Sequence, residues 1–204
     1  MNLRAPGGQY ITSFALFLLL FGTLTYLATT PKSTEQFMSM YLLNSKGEAQ
    51  SYFPNNDTTV SAGDPISWKV VIQNHVSLPQ LAVLVVKLGN DSLSGPNTFD
   101  LQPASMPILA EFPQVLLPNQ TWTVDLNWHI DSISISPRGD WLKLSLNGTD
   151  HSEEAVTTEG GLNYNIVMEL WTLSPSSGSL IFGWSSSYGR GAAALEMWFN
   201  STSP

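Results

Sequence analysis

Any chemistry in this chain has to come from three histidines, one serine-rich stretch and one acidic loop. His75, His129 and His151 stand far apart, with no His-Glu-x-x-His pair and no Cys-x-x-Cys, so a zinc site would have to be assembled wholly by the fold. His75 follows Asn74 in a turn-like pair, and His129 falls on the polar side of an alternating segment. Asp125 shares that side at i, i+4, but in a regular strand about 13 Å separates the two Cα atoms. The stretch Gly183–Gly189 (GWSSSYG) superficially resembles a nucleophile elbow. Its Gly-x-Ser-x-Ser spacing and the lack of a strand–turn–helix context mark it as a serine-rich loop instead. Asn147–Glu154 (NGTDHSEE) concentrates oxygen ligands of the kind calcium takes, without EF-hand spacing, and reads as an acidic solvated loop. Neither Gly-x-Gly-x-x-Gly nor a phosphate-binding Gly-Lys-Ser/Thr loop occurs. The residues therefore predict a non-catalytic protein with no cofactor and no metal.

The elements that would position these residues begin with an apolar segment. Tyr10–Ala28 (YITSFALFLLLFGTLTYLA) contains no charge, and as a helix it would cover about 28 Å, close to the hydrocarbon thickness of a bilayer. It is longer than the 7–15-residue core of a cleavable signal peptide, and Ala28-Thr29-Thr30-Pro31 is a poor cleavage site. Tyr10 and Tyr26 sit where interfacial aromatics belong. The segment is expected to be a single transmembrane helix over 10–28, between a short tail at 1–9 and a linker at 29–37. Arg4 and the amino terminus make the N-terminal side positive, which places it in the cytoplasm and the rest of the chain outside the cell membrane.

Beyond the linker the sequence reads as one all-β domain over 38–200, with a tail at 201–204. In Thr121–Ile130 (TWTVDLNWHI), Trp122, Val124, Leu126 and Trp128 alternate with Thr123, Asp125, Asn127 and His129, the period of a half-buried strand. Met38–Leu43, Ser67–Gln73, Leu81–Leu88, Trp141–Leu146, Tyr164–Leu173, Leu180–Trp184 and Leu195–Asn200 supply further strands. Turn signals such as Asn44-Ser45-Lys46-Gly47, Pro137-Arg138-Gly139-Asp140 and Ser176-Ser177-Gly178 separate them. Pro96–Pro118 carries five prolines and reads as a long crossing connection with one edge strand. Such a succession without a helical pattern predicts an antiparallel β-sandwich.

Composition narrows the partners. Formal net charge is −8 and the basic residues are scattered, so nucleic acid is not an expected partner. The chain has no cysteine, which points away from a disulfide-stapled eukaryotic secreted domain and towards a prokaryotic or archaeal envelope. Five Asn-x-Ser/Thr acceptors begin at Asn56, Asn90, Asn119, Asn147 and Asn200, all beyond the anchor, where glycosylation would occur. Of the seven tryptophans, Trp122 and Trp128 fall on the apolar side of their strand. Trp171 and Trp198 fall opposite in parity to the sets Ile166/Met168/Leu170 and Leu195/Met197/Phe199. Those two are the candidate interaction surface.

Tyr41-Leu42-Leu43, Gly47-Glu48-Ala49, Tyr52-Phe53-Pro54, Val60-Ser61-Ala62-Gly63 and Asn74-His75 occur in an order that resembles an uncharacterised family of archaeal membrane proteins. The resemblance covers roughly Met38–Asn200 and implies an external immunoglobulin-like sandwich; it implies no activity. Val76 departs from that pattern, which has Glu there, and such proteins often carry several membrane helices. The combined expectation is a single-pass envelope protein whose sandwich binds other membrane or envelope proteins, as an accessory subunit of a larger complex. The competing expectation is an external domain that binds glycans or calcium.

Overall fold

The computed structural model describes residues 7–29, 36–134, 140–151, 157–186 and 189–202. Residues 1–6 and 203–204, most of the linker, 135–139, where a turn is expected, and the acidic residues Glu153 and Glu154 lie outside them. The chain divides into two units, Met1–Thr34 and Glu35–Pro204.

The first unit is helix α1 (Gly7–Thr29). Leu, Phe and Ala favour this helix, and its hydroxyls do not compete with it. Thr23 Oγ1 donates to the carbonyls of Leu19 and Leu20 at 3.0 and 2.9 Å, Thr25 donates to Phe21, and Thr29 to Thr25 at 2.8 Å. Each of these hydroxyls is thus satisfied within its own helix. The side chains from Ser13 to Tyr26 are exposed on every face and carry no charge. Such a helix has no polar stripe to offer water. Among the described residues, no helix is long and apolar enough to cross a membrane.

The second unit is a two-sheet β-sandwich. Its strands are β1 (Met38–Asn44), β2 (Thr59–Ser61), β3 (Ile66–Asn74), β4 (Gln80–Asn90), β5 (Ile108–Leu116), β6 (Thr121–Ser134), β7 (Asp140–Leu146), β8 (Thr149–Asp150), β9 (Thr157–Thr158), β10 (Tyr164–Leu173), β11 (Leu180–Phe182), β12 (Trp184–Ser186), β13 (Gly189–Gly191) and β14 (Ala194–Thr202). One sheet runs β1-β3-β6-β7-β8 with β9 also on β7, and the other runs β2-β14-β10-β4-β5 with β11 also on β10. The pairings are antiparallel except β2 with β14, which is parallel. β12 and β13 form a separate hairpin.

Period-two patterning builds the core between the sheets. Trp68, Val70 and Ile72 of β3 and Val124, Leu126, Trp128 and Ile130 of β6 face Leu84, Val86 and Leu88 of β4 and Ile166, Met168 and Leu170 of β10. An aromatic chain runs across it, Phe53–Trp68–Trp128–Phe199–Tyr164, with ring centroids 5.6, 5.2, 5.2 and 5.5 Å apart. Trp68 Nε1 donates to the Tyr52 carbonyl at 2.6 Å, whereas Trp128 Nε1 is buried with no hydrogen-bond partner. Both faces of β4 and β10 are buried, which accounts for the continuous apolar run Leu81–Val86.

One sequence expectation needs adjusting and another holds. Leu180–Trp184 is not one strand: Gly183, at φ +84°, turns the chain out of β11 into the β12–β13 hairpin. A Cβ there would overlap the Gly191 carbonyl oxygen, so only glycine fits. The Pro96–Pro118 connection does contain one edge strand, β5, and Pro113 sits within it, where an edge tolerates a missing N–H.

Candidate interaction surface

β10 places Ile166, Met168 and Leu170 in the core, so Asn165, Val167, Glu169 and Trp171 emerge on the outer face of its sheet. Central strands rarely put a carboxylate there without a partner. Glu169 is 0% exposed and meets Lys87 of β4, itself 4% exposed, at Nζ–Oε2 2.9 Å. Lys87 lies opposite Val167 in the register, so the pair is diagonal, within reach of a long side chain.

Each charge has further hydrogen bonds. Glu169 Oε1 accepts the Ala104 N–H, and Oε2 also accepts the indole N–H of Trp171 at 2.9 Å. Lys87 Nζ donates to the Ala104 carbonyl at 2.7 Å and lies 5.8 Å from the centroid of the Trp171 ring. Ala104 belongs to the segment between β4 and β5, which folds back over the face. There Ala104, Met106 and Leu93 form a second small core on Val167. Gly89 admits this approach, since a Cβ on it would overlap the Met106 sulfur. The buried ion pair therefore clamps a loop onto a sheet.

Beyond the clamp the face opens towards β14. Trp198, paired with Asn165, is 43% exposed. Its neighbour Glu196 accepts from Asn165 Nδ2 at 3.0 Å, while Asn165 Oδ1 is buried without a partner. Of the two expected interface tryptophans, then, Trp198 stands on the surface. Trp171 is half-buried, held by Glu169 and by Phe182 at 6.0 Å between centroids.

The three histidines remain apart. His75 stacks on Phe37 at 4.5 Å, His129 pairs with Asp131 at 2.9 Å and not with Asp125, and His151 is buried beside β7. Among the described residues no group of three or more His, Cys, Asp or Glu could hold a metal ion. Gly183–Gly189 enters the β12–β13 hairpin; Ser187 and Tyr188 lie outside the described residues. Ser152, Glu153 and Glu154 of the acidic loop lie outside them too.

The sequons differ in presentation. Asn56 and Asn119 are exposed at positive φ. Asn90 is buried and accepts from the N–H and hydroxyl of Ser92. Asn147 is exposed, but its side chain bridges strands, accepting from Asn127 N at 2.8 Å and donating to Asp125 O at 3.1 Å. Asn200 is half-buried and accepts from Asn163 N at 2.9 Å.

The motif residues near the N-terminal edge line a polar cleft of about 480 Å³ that includes Lys46, Glu48, Tyr52 and Ser67. Their local role is structural. Asn44 Oδ1 accepts from the N–H groups of Lys46 and Glu48, and the Tyr52 hydroxyl donates to the Leu42 carbonyl.

Sequence reasoning missed the Lys87–Glu169 clamp. The available signal was one charge of opposite sign inside each of two apolar strands, LAVLVVKL and NIVMELW.

Compared with known proteins, the chain matches no family model and no curated protein. Among solved structures it is similar to the CARDB domain of a Pyrococcus furiosus protein in complex with di-metal ions, with 6% identity and a TM-score of 0.36, over 82% of this chain and 89% of that one. It is also similar to a β-glucosidase from Listeria innocua in complex with isofagomine, with 12% identity and a TM-score of 0.36, over 84% of this chain but only 17% of the enzyme.

Proposed function

We propose that this is a non-catalytic, single-pass protein of the cell envelope, anchored by α1 with its N-terminus in the cytoplasm. Its external, immunoglobulin-like sandwich binds another membrane or envelope protein as an accessory subunit. The observation that carries the reading is Trp198: a large aromatic side chain left exposed on a sheet whose neighbouring loop is fixed by a buried ion pair. A rigid face with a partly exposed tryptophan is the kind of anchor that protein interfaces use. The uncharged helix, apolar on all its described faces, supports the anchor.

The test is purification in mild detergent from native membranes, with mass spectrometry of stoichiometric companions. Wild type is expected to carry a constant companion set, and Trp198→Asp to lose it while keeping the wild-type unfolding midpoint. Isolation of the wild-type chain alone at matched recovery would overturn the subunit reading. Retention of companions by a folded Trp198→Asp would move the contact elsewhere.

A further inference from the structure

One end of the sandwich differs from the rest in a way the interaction face does not explain. It is the end at which the chain enters. There the start of β1, the β3–β4 turn, the β5–β6 turn and the β10–β11 turn come together, as the pairings Met38–Asn74, Gln73–Thr121, Gln80–Leu116 and Leu173–Leu180 require. The segments are 36–40, 72–82, 113–122 and 171–182. In a chain of which 12% is charged, they contain no Asp, Glu, Lys or Arg, and His75 is their single titratable side chain.

In place of charge this end exposes carbon. Leu78 is 61% exposed and Leu117 57%, and Phe37, Val115, Leu173 and Leu180 are exposed as well. Of the exposed apolar side chains elsewhere in the domain, Phe99 adjoins Asp100, Trp141 adjoins Asp140 and Trp198 lies two residues from Glu196, whereas Tyr41, Ile108 and Leu162 have no acid so near in sequence. The loops away from the entry end hold Glu48, Asp64, Asp91 and Asp100. The sandwich is therefore electrically lopsided along its length.

Several backbone groups in the turns of the entry end are already paired. Asn74, fully buried, donates from Nδ2 to the carbonyls of Leu78, Leu116 and Leu117 at 3.1, 3.1 and 3.2 Å, and accepts the Val76 N–H at 2.8 Å. Asn119 N donates to the Asn74 carbonyl at 2.7 Å, and Leu117 N to Gln120 Oε1 at 2.9 Å. Turns whose polar groups are internally satisfied lose little on leaving water, and that loss is what usually keeps loops out of an apolar medium. Arg190 on the β12–β13 hairpin lines a small cleft with Gln36 and Phe37, which puts one cation beside this end.

We propose that this charge-poor end is a lipid-contacting rim, seated with Leu78 and Leu117 in the headgroup–acyl boundary of the bilayer that α1 enters. The proposal rests on the anchor reading. Chain continuity favours a bilayer over any other occupant, because the rim is the end joined to α1 through 30–35. The charge distribution agrees, since an acidic domain meets an anionic lipid surface best with the end whose turns between strands hold no acid. Shallow seating of apolar side chains with a nearby cation is the pattern of interfacial membrane contact.

The absence of cysteine makes a direct test simple. Leu78→Cys, Leu117→Cys and Ser45→Cys (in the turn after β1, at the other end of that strand) are each labelled with an environment-sensitive fluorophore. The full chain is then reconstituted in phosphatidylcholine–phosphatidylglycerol vesicles, with and without a lipid bearing a shallow nitroxide quencher. Each labelled variant is first shown to keep the wild-type unfolding midpoint. The rim predicts at least about twofold stronger quenching at positions 78 and 117 than at 45. Equal quenching at all three positions in chains that float with the vesicles overturns the rim and leaves the anchor standing. Chains that fail to float overturn both. Blue-shifted emission at 78 and 117 without lipid quenching assigns the end to a protein or to a second copy of the chain, and overturns the rim.

Discussion

Lys87 and Glu169 lie 2.9 Å apart on the outer face of a β-sheet, almost wholly out of water, and between them they hold both backbone groups of Ala104. Removing one partner leaves the other charge buried and unpaired, which costs about 3–5 kcal/mol. Lys87→Met and Glu169→Gln should each lose about that much, read by urea denaturation with tryptophan fluorescence. The double variant should recover part of it, because no lone charge remains. Single losses below about 1 kcal/mol would place the pair in solvent-like surroundings.

Gly183 and Gly47 both have positive φ but differ in what surrounds them. A Cβ at Gly183 strikes the Gly191 carbonyl, whereas one at Gly47 meets nothing within 4 Å. Gly183→Ala is expected to destabilise by more than about 3 kcal/mol, and Gly47→Ala by about 1 kcal/mol. Thermal unfolding of the two variants side by side reads the difference.

Asn74 ties three turn carbonyls with one amide. Asn74→Ala should cost about 2–4 kcal/mol, because buried acceptors are orphaned. Asn74→Asp keeps the shape but aims a carboxylate at those carbonyls, so its folded-state pKa rises above the unfolded value. Its penalty relative to wild type is then largest at neutral pH and shrinks as pH falls through that raised pKa, where the acid regains a donor. A penalty that stays flat from neutral pH down to about pH 4, near the ordinary carboxylate value, would refute this account.

Trp68 and Trp128 touch in the core, yet only Trp68 has its N–H satisfied. Trp68→Phe orphans the Tyr52 carbonyl and should therefore cost about 1–2 kcal/mol more than Trp128→Phe, which removes a donor that has no acceptor. Chemical denaturation of both variants gives the comparison. Equal losses would mean that volume alone sets the cost.

In a host that modifies Asn-x-Ser/Thr, the exposed Asn56 should carry glycan, while Asn90 and Asn147 should remain bare, as should Asn119, which lies two residues from Leu117 on the proposed rim. Asn90 is buried and Asn147 Nδ2 is engaged. Peptide mapping after enzymatic deglycosylation reads each site. Full occupancy at Asn147 would show that the bridge it forms to β6 yields during processing.

Strands with one wet face can be read from sequence because their side chains alternate. β6 begins at Thr121 as the pattern predicts, and β10, buried on both faces, still spans Tyr164–Leu173 because its run is mostly apolar. Leu180–Trp184 reads as one strand because hydrophobicity continues across Gly183, while the turn depends on a φ that only the folded chain reveals. The clamp is a relationship between positions 87 and 169, and no local window contains both. The parity of Trp171 and Trp198 places both on the outer face. It does not show that Glu169 draws the first indole down while the second stays at the surface.

The last strand, β14, lies between β2 and β10 and contributes Phe199 to the aromatic chain. Its parallel pairing with β2 joins Asn200 to Thr59 across most of the domain's length. The sandwich cannot close until those residues have left the ribosome, however early the first sheet assembles. A chain threaded outward behind an N-terminal helix would therefore stay unfolded for the whole of its passage, and would complete its core only on the far side.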